Sequence, residues 1–234
     1  MKKVFISLLL LFLLISLTTL ASEADSLQEQ INNHRNITLP KNESWQEHIV
    51  IKEDKFIDFR HSTLTGYEKN KPIIHIKGNI QVEIYHAHII NGPNICIFPP
   101  GCLAQAIRIE GGARVILGNV EIIDNPMGGV YVYDNSKLTI FRSHFSNNAV
   151  GIAGYDHSKI TVYNSDIEKS NDDGVWALGH SKIILRDSII HDNWSDGLEI
   201  RNNGLVRLIH TYVYDNNLKK WKIFHEGELE RVDL

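Results

Sequence analysis

The chain has 234 residues, 43% of them hydrophobic, which is enough for a sizeable core. It carries 24 Lys and Arg against 28 Asp and Glu, for a formal net charge of −4. This acidic balance disfavours the basic surface of a general nucleic-acid-binding protein, so we expect no nucleic-acid partner.

The first 24 residues are typical of a secretory signal peptide. Lys2 and Lys3 precede a largely apolar run from Val4 to Leu17, and small residues follow up to Ala24. The apolar run is shorter than a membrane-spanning helix requires. We therefore predict a signal peptide over residues 1–24 and one mature domain over residues 25–234. That domain is expected to be secreted, periplasmic or extracellular, and not to span a membrane.

A short helix is predicted directly after the signal peptide. Ser26 and Glu29 form a capping-box pattern, in which two side chains satisfy free amides at the start of a helix. Leu27 and Ile31 lie four residues apart and so share one apolar face. We expect this helix to cover the first strands of the domain, whose edges would otherwise be exposed.

The rest of the chain repeats a pattern of short strands at intervals of 22 or 23 residues. Its clearest marker is a glycine that precedes an alternating apolar pair, at Gly129, Gly151, Gly174 and Gly197. Three such segments per repeat are too short and too rich in Val and Ile for helices, and no segment between them has the helical spacing of a leucine-rich repeat. We predict an all-β fold, a single-stranded right-handed parallel β-helix of about seven coils with three short strands each.

Two further columns of the repeat are interpreted as structural. Asparagine tolerates left-handed backbone and can form hydrogen-bonded stacks, and buried hydroxyls can satisfy turn amides. The asparagine column comprises Asn91, Asn125, Asn148, Asn171, Asn193 and Asn216, and the hydroxyl column comprises Ser143, Ser165, Ser188 and Thr211.

One coil carries an inserted stretch from Gly92 to Gln105, which makes its turn about ten residues longer than the same turn elsewhere. It contains Cys96 and Cys102, which we expect to form a disulfide, because export to an oxidising compartment permits one; an unpaired buried thiol is the alternative. The insertion leads into Arg108, so it either walls a groove or is decorative.

The coils resemble the right-handed β-helix proteins of the pectin-lyase-like superfamily, especially its NosD-type repeat group. The opening segment NITLPKNESWQEHIVI is similar too, because a strand and a Leu-Pro turn lead into the first coil. The resemblance covers about residues 30–230 and implies the fold. It leaves the function open, since members include lyases, hydrolases, epimerases, adhesins and proteins without known catalysis.

The outward residues of the first strands are the leading candidates for ligand binding. We expect exposed aromatic rings in successive coils, flanked by charged side chains, to bind a sugar chain that lies across the strands. Ordinary β-propensity is the competing explanation for these aromatic residues. The predicted substrate-binding residues are His75, Arg108, Tyr131, Tyr133, Tyr155, Trp176 and Arg201.

Catalytic residues are matched by type alone. The superfamily resemblance implies acid or base residues on an exposed strand face, and Glu110, Glu199 and Arg201 are the candidates. The Asp-Pro-His-Asp signature of alginate epimerases and the paired aspartates of polygalacturonases are missing in recognisable form. No metal site is assigned, although Ca²⁺ is an open cofactor because oxygen ligands gather at one turn, at Asp172, Asp173, Asp192 and Asp196.

Two other surfaces carry charge in register. The third strands place His144 near Asp166 and His191 near Asp192, which suits either acid–base chemistry or a solvated surface. The turn after the first strand stacks Lys137, Lys159 and Lys182, which suits either a polyanion or a lysine row that blocks aggregation.

We therefore predict an exported, monomeric protein that binds a linear, acidic polysaccharide along its first-strand face, and the residues leave cleavage or epimerisation open. The alternative is a non-catalytic scaffold or adhesin of the cell envelope that acts through protein contacts.

Overall fold

The computed structural model describes residues 26–66, 68, 70–90 and 104–232. The signal peptide predicted at residues 1–24, most of the insertion with Cys96 and Cys102, and Asn91 lie outside these described residues. The elements in chain order are α1 (Leu27–Asn33), β1 (Asn36–Thr38), β2 (Ser44–Gln46), β3 (Ile49–Ile51), β4 (Lys55–Thr65), β5 (Ile74–Lys77), β6 (Gln81–Ile90), β7 (Ile107–Glu110), β8 (Arg114–Gly118), β9 (Glu121–Ile123), β10 (Val130–Val132), β11 (Lys137–Phe141), β12 (His144–Ser146), β13 (Ile152–Gly154), β14 (Lys159–Tyr163), β15 (Asp166–Glu168), β16 (Val175–Ala177), β17 (Lys182–Arg186), β18 (Ile189–His191), β19 (Leu198–Ile200), β20 (Leu205–Ile209), β21 (Tyr212–Tyr214), β22 (Trp221–Ile223) and β23 (Glu228–Val232).

The helix α1 caps the first coil as predicted. The Ser26 hydroxyl accepts a hydrogen bond from the Glu29 amide at 3.1 Å, which satisfies one of the free amides of the first turn. Leu27 and Ile31 are fully buried against the core. In the described part of the chain, no helix is long and apolar enough to cross a membrane.

The strands form a parallel right-handed solenoid of about eight turns. Eight first strands make one sheet in the order β3-β5-β7-β10-β13-β16-β19-β22, and the last of them belongs to the incomplete final coil. The pairing is in register, so that Val130 lies opposite Ile152, which lies opposite Val175. The first-strand columns predicted from the repeat are therefore confirmed, and the coil number exceeds the predicted value by about one.

The second and third strands of all coils belong to one 15-stranded sheet. The second-strand and third-strand positions form one sheet because β4 and β6 are long strands that each occupy both positions without a break at the corner. In later coils the corner is a single residue with positive φ, at Asn119, Arg142, Asn164, Asp187 and His210. Left-handed backbone turns the chain sharply, so the inward side chains of both strands face the same core.

The asparagine column is confirmed with one correction. Asn125 Nδ2 donates to Asn148 Oδ1 at 3.0 Å, and Asn193 Nδ2 donates to Asn216 Oδ1 at 2.8 Å. The prediction is wrong for Asn171, which is exposed, because the preceding residue, Ser170, occupies the buried position of the column. The repeat of 22 residues in one coil and 23 in the next makes this one-residue error easy.

The hydroxyl column is confirmed. Ser143 Oγ accepts a hydrogen bond from the Val120 amide and donates one to the Phe141 carbonyl. Ser165 and Ser188 repeat the same pair of contacts one and two coils later. Each hydroxyl thus satisfies two buried backbone groups at a corner, which explains a structural role.

Candidate ligand-binding face

The first-strand face is the outward surface of the first-strand sheet. Its side chains stack directly over one another, since His75 pairs with Arg108, Arg108 with Tyr131, and Ala153 with Trp176. All residues predicted for substrate binding and catalysis lie on this one surface. They are His75, Arg108, Glu110, Tyr131, Tyr133, Tyr155, Trp176, Glu199 and Arg201.

The middle of the face is an aromatic patch. The rings of Tyr133 and Tyr155 stack with centroids 4.6 Å apart and planes 12° apart, and Tyr131 packs on Tyr155 at 5.8 Å. Tyr131, Val150 and Ala153 form a small apolar cluster of their own, separate from the main core, and Trp176 packs against it.

The expectation of an exposed aromatic row is wrong for Tyr131, whose exposed fraction is only 7%. Gly128 explains this burial. It has a φ of +120°, and a Cβ atom there would lie 2.5 Å from the Tyr131 ring, so the ring packs against Gly128 in the space that a side chain would fill. Tyr131 is therefore a packed support of the patch, whereas Tyr133, Tyr155 and Trp176 remain partly exposed.

Burial raises the pKa of all three tyrosines, Tyr131, Tyr133 and Tyr155. The Arg108 guanidinium partly opposes this effect at Tyr133. The phenols are therefore protonated at neutral pH, and their hydroxyls can donate hydrogen bonds to a ligand.

One end of the face is a closed ionic network. Glu110 accepts hydrogen bonds from His75 and Arg108, each at 2.8 Å, and the Arg108 guanidinium lies 4.0 Å above the Tyr133 ring. Burial would raise the pKa of Glu110, but the hydrogen bonds from Arg108 and His75 outweigh it and lower that pKa. Burial also lowers the pKa of His75, despite its contact with Glu110. At neutral pH the network is thus an ionised carboxylate, a neutral imidazole and a guanidinium.

The other end of the face is a cluster of carboxylates. Asp173, Asp196 and Glu199 are buried, with exposed fractions of 1%, 1% and 6%, and an oxygen from each lies within 4.8 Å of the others. Glu199 contacts Arg201 Nε at 2.5 Å. Burial, followed by the charge of Asp173, raises the pKa of Glu199 even though Arg201 lowers it.

The turn aspartates predicted as oxygen ligands divide into two groups. Asp173 and Asp196 join the carboxylate cluster, whereas Asp192 contacts His191 at 2.8 Å and Asp172 is exposed. Glu199 is the member that the sequence reading placed only among catalytic candidates. The spacing in the sequence could have predicted that Glu199 joins the cluster, because Asp173 and Asp196 are one coil apart and Glu199 follows Asp196 by three residues.

The third-strand face carries a second group of acids and imidazoles. His191 contacts both Asp166 and Asp192, and His144 contacts Glu168. These side chains are partly or fully exposed, and they pair with one another. Such contacts are typical of a solvated surface network.

The lysine row is confirmed as a column. Lys137 pairs with Lys159 and Lys159 with Lys182, and Arg114 extends the row by one coil. All four side chains are exposed on the second-strand side of the solenoid. The row is therefore a separate surface from the first-strand face.

Comparisons with known proteins identify the fold. A family model described as "Right handed beta helix region" matches residues 72–222, so the chain belongs to this right-handed β-helix family. A solved structure, the alginate lyase from Paenibacillus sp. str. FPU-7, is similar with a TM-score of 0.52 and 13% sequence identity, over 86% of this chain and 95% of that one. No curated protein matches the sequence. The predicted resemblance to pectin-lyase-like β-helices is confirmed for the fold.

Proposed function

We propose that this β-helix protein is exported, acts as a monomer and binds a linear, acidic polysaccharide along its first-strand face. The observation that carries the proposal is the aromatic patch next to Arg108, whose guanidinium lies 4.0 Å above Tyr133. Partly exposed rings can pack on the C–H faces of sugars, and a guanidinium can bind a carboxylate through two parallel hydrogen bonds.

The length of the face favours a polymer over a small molecule. The face spans six stacked strands from His75 to Glu199, and the five spacings between them correspond to roughly 24 Å. A sugar chain across the strands would contact His75, Arg108, Tyr133, Tyr155, Trp176 and Arg201, with Tyr131 supporting the rings from beneath. Because the face is a surface of a solenoid, it leaves both ends of a long polymer free.

The similar solved structure is an alginate lyase, which makes alginate the first acidic polysaccharide to test. The likeness itself supports only the shared fold. The contacts of the two candidate catalytic carboxylates favour binding of the polysaccharide without its cleavage. Glu110 is held by two hydrogen bonds, and Glu199 is buried beside Arg201, so neither carboxylate is a free general base.

The test is calorimetric titration of the purified protein with alginate, polygalacturonate and a neutral polysaccharide. We expect binding to a uronic polymer and none to the neutral one, with Arg108→Gln weakening affinity about tenfold or more, as expected for loss of a charge-assisted pair. Arg114→Gln is the matched control, because Arg114 is an exposed arginine on the lysine row.

Two results would contradict the proposal. Binding that is lost in Arg114→Gln and kept in Arg108→Gln would move the ligand to the lysine row. No binding to any polysaccharide would favour the scaffold or adhesin alternative. Ultraviolet absorbance of unsaturated products, recorded in the same mixtures, reports whether a bound chain is also cleaved.

A further inference from the structure

The second strands of four successive coils present a surface of unusual composition. We call the outward residues of β8, β11, β14 and β17 the second-strand face. Five of them are basic and none is acidic, although the whole chain has more acidic than basic residues. The basic residues are Arg114, Lys137, Lys159, Lys182 and Arg186. A protein of net negative charge thus has one face whose charged side chains are all positive.

These five cations are not neutralised by neighbouring side chains. Within the described ranges of the chain, the ion pairs of lysine and arginine involve other residues, such as Arg207 with Glu230 on the last coils. Lys137, Lys159 and Lys182 lie in register on paired strands, which are about 4.8 Å apart. Water screens most of their mutual repulsion. A partner of negative charge would remove the rest.

Apolar and aromatic side chains lie beside the cations. Ile116 and Ile184 are partly exposed in the central column of the face, and Phe141 pairs with Tyr163 at its far edge. A Cβ atom on Gly118 would lie 2.5 Å from the Phe141 ring, so this ring leans over the glycine. A soluble polyanion would leave these side chains in water. The interface of a lipid bilayer accommodates both basic and apolar groups.

The second-strand face is also wide and unobstructed. Its strands have five residues each, whereas most first and third strands have three. Short turns precede them, and a single residue with positive φ follows each of them, at Asn119, Arg142, Asn164 and Asp187. The inserted stretch joins β6 to β7 and so begins and ends away from this face. Such a surface suits a planar partner.

We propose that the second-strand face docks on the surface of an anionic lipid bilayer. The basic side chains contact lipid phosphates, and Phe141, Tyr163 and the two isoleucines lie at the level of the headgroups. Docking of this kind needs no membrane-spanning segment. The first-strand face is a separate surface and stays accessible while the protein is docked.

Vesicle co-sedimentation tests the proposal without any polysaccharide. The purified mature protein, predicted to comprise residues 25–234, is mixed with vesicles of phosphatidylcholine alone or of equal parts phosphatidylcholine and phosphatidylglycerol. We expect binding to the anionic vesicles and little to the neutral ones. Binding should weaken about tenfold or more when the salt concentration is raised from about 0.05 to 0.5 M, because salt screens exposed charges.

Charge variants locate the contact on this face. Each lysine near an anionic bilayer contributes about fivefold to affinity, so Lys137→Gln, Lys159→Gln and Lys182→Gln combined should weaken binding about 100-fold. The matched control makes the same change at three exposed lysines elsewhere, as Lys41→Gln, Lys219→Gln and Lys220→Gln. Both triple variants change the net charge equally, and we expect the control to lose less than about threefold.

A second pair of changes tests the apolar contribution. Ile116→Thr with Ile184→Thr gives the central column the residue that it already carries at Thr139 and Thr161, so the fold should be kept. We expect roughly threefold to tenfold weaker binding to anionic vesicles, because less apolar area enters the interface. The Tm of each variant, measured without lipid, reports whether the fold is intact.

Three outcomes would overturn the proposal. The first is a wild-type protein that does not bind anionic vesicles; calorimetry with soluble polyphosphate then tells a polyanion site from a lysine row that only blocks aggregation. The second is an equal loss of binding in the two lysine variants. The third is full binding by the isoleucine variant, which would mean adsorption by charge alone. None of these outcomes bears on the polysaccharide titration, which concerns the other face.

Discussion

The two ends of the first-strand face deal with buried charge in opposite ways. Near α1, Glu110 receives hydrogen bonds from His75 and Arg108, and its charge is balanced. At the far end, Asp196 lies against Asp173 and Glu199, and both of its oxygens lack donors. One end is a satisfied set of side chains, whereas the other leaves a buried carboxylate without hydrogen-bond donors.

The cause of this difference is the stacking of coils. A parallel solenoid places equivalent positions directly over one another, so the chemistry of a column depends on what successive repeats carry there. His75 and Arg108 occupy one column, with Glu110 two residues along the strand from Arg108. Asp173 and Asp196 are equivalent positions of adjacent coils, and stacking like charges has the opposite result.

The largest effect is expected at the satisfied end. Glu110→Gln should lower the free energy of unfolding by about 2 kcal/mol, because it replaces two charge-assisted hydrogen bonds in a half-buried network. Chemical denaturation with a matched slope measures the change. Glu121→Gln is the control, since its contact with His88 is more exposed than the Glu110 network and should be worth less than about 0.5 kcal/mol.

Equal effects of Glu110→Gln and Glu121→Gln would break the comparison. They would mean that solvent screens the hydrogen bonds of Glu110 as fully as it screens a surface ion pair. The Glu110 network would then add no more to the free energy of unfolding than an exposed contact does.

A smaller effect of opposite sign is expected at the unsatisfied end. Asp196→Asn should raise the free energy of unfolding by about 1 kcal/mol, because it removes one of the repelling carboxylates. Asp173→Asn should instead lower it, since Asp173 accepts hydrogen bonds from Trp176 and the Asp196 amide. If both variants are destabilised by the same amount, the Asp196 carboxylate must make stabilising contacts in the folded protein, and the contrast with Asp173 is wrong.

The fold could be predicted from the sequence because it depends on a local rule applied repeatedly. Val and Ile at period two, a corner hydroxyl such as Ser165 and a glycine such as Gly151 recur at nearly constant spacing. Pairing then follows from register alone, and the observed partners of Val130 and Ile152 agree with it. Asn171 was misassigned because register shifts by one residue between coils of different length.

The candidate site was predictable only in outline. Alternation placed Tyr131 and Glu199 on the outward side correctly, but outward is not the same as exposed. Tyr131 is buried because Gly128 lets its ring lie on the backbone, and Glu199 is buried within the acidic cluster. These contacts depend on side-chain packing across several coils, which periodicity does not specify.

The smallest expected effect is a difference between the two ends of the face in how their carboxylates change the stability of the protein with pH. The pKa of Glu110 is lowered on folding, so its stabilisation is complete above about pH 4.5 and is lost as the pH falls below that value. The pKa of Asp196 is raised on folding, so the ionised side chain destabilises the protein above that raised pKa, and the cost is relieved as the pH falls toward 3.8. Acidification therefore acts on the two carboxylates in opposite directions.

Melting curves between pH 7 and about pH 4 measure this difference. The Tm advantage of Asp196→Asn over wild type should shrink first, because a protonated aspartate resembles an asparagine. The Tm deficit of Glu110→Gln should stay constant until the pH approaches 4.5 and only then shrink. If the two differences close together, the ends of the face titrate as one coupled group, and the contrast between a satisfied and an unsatisfied cluster does not hold.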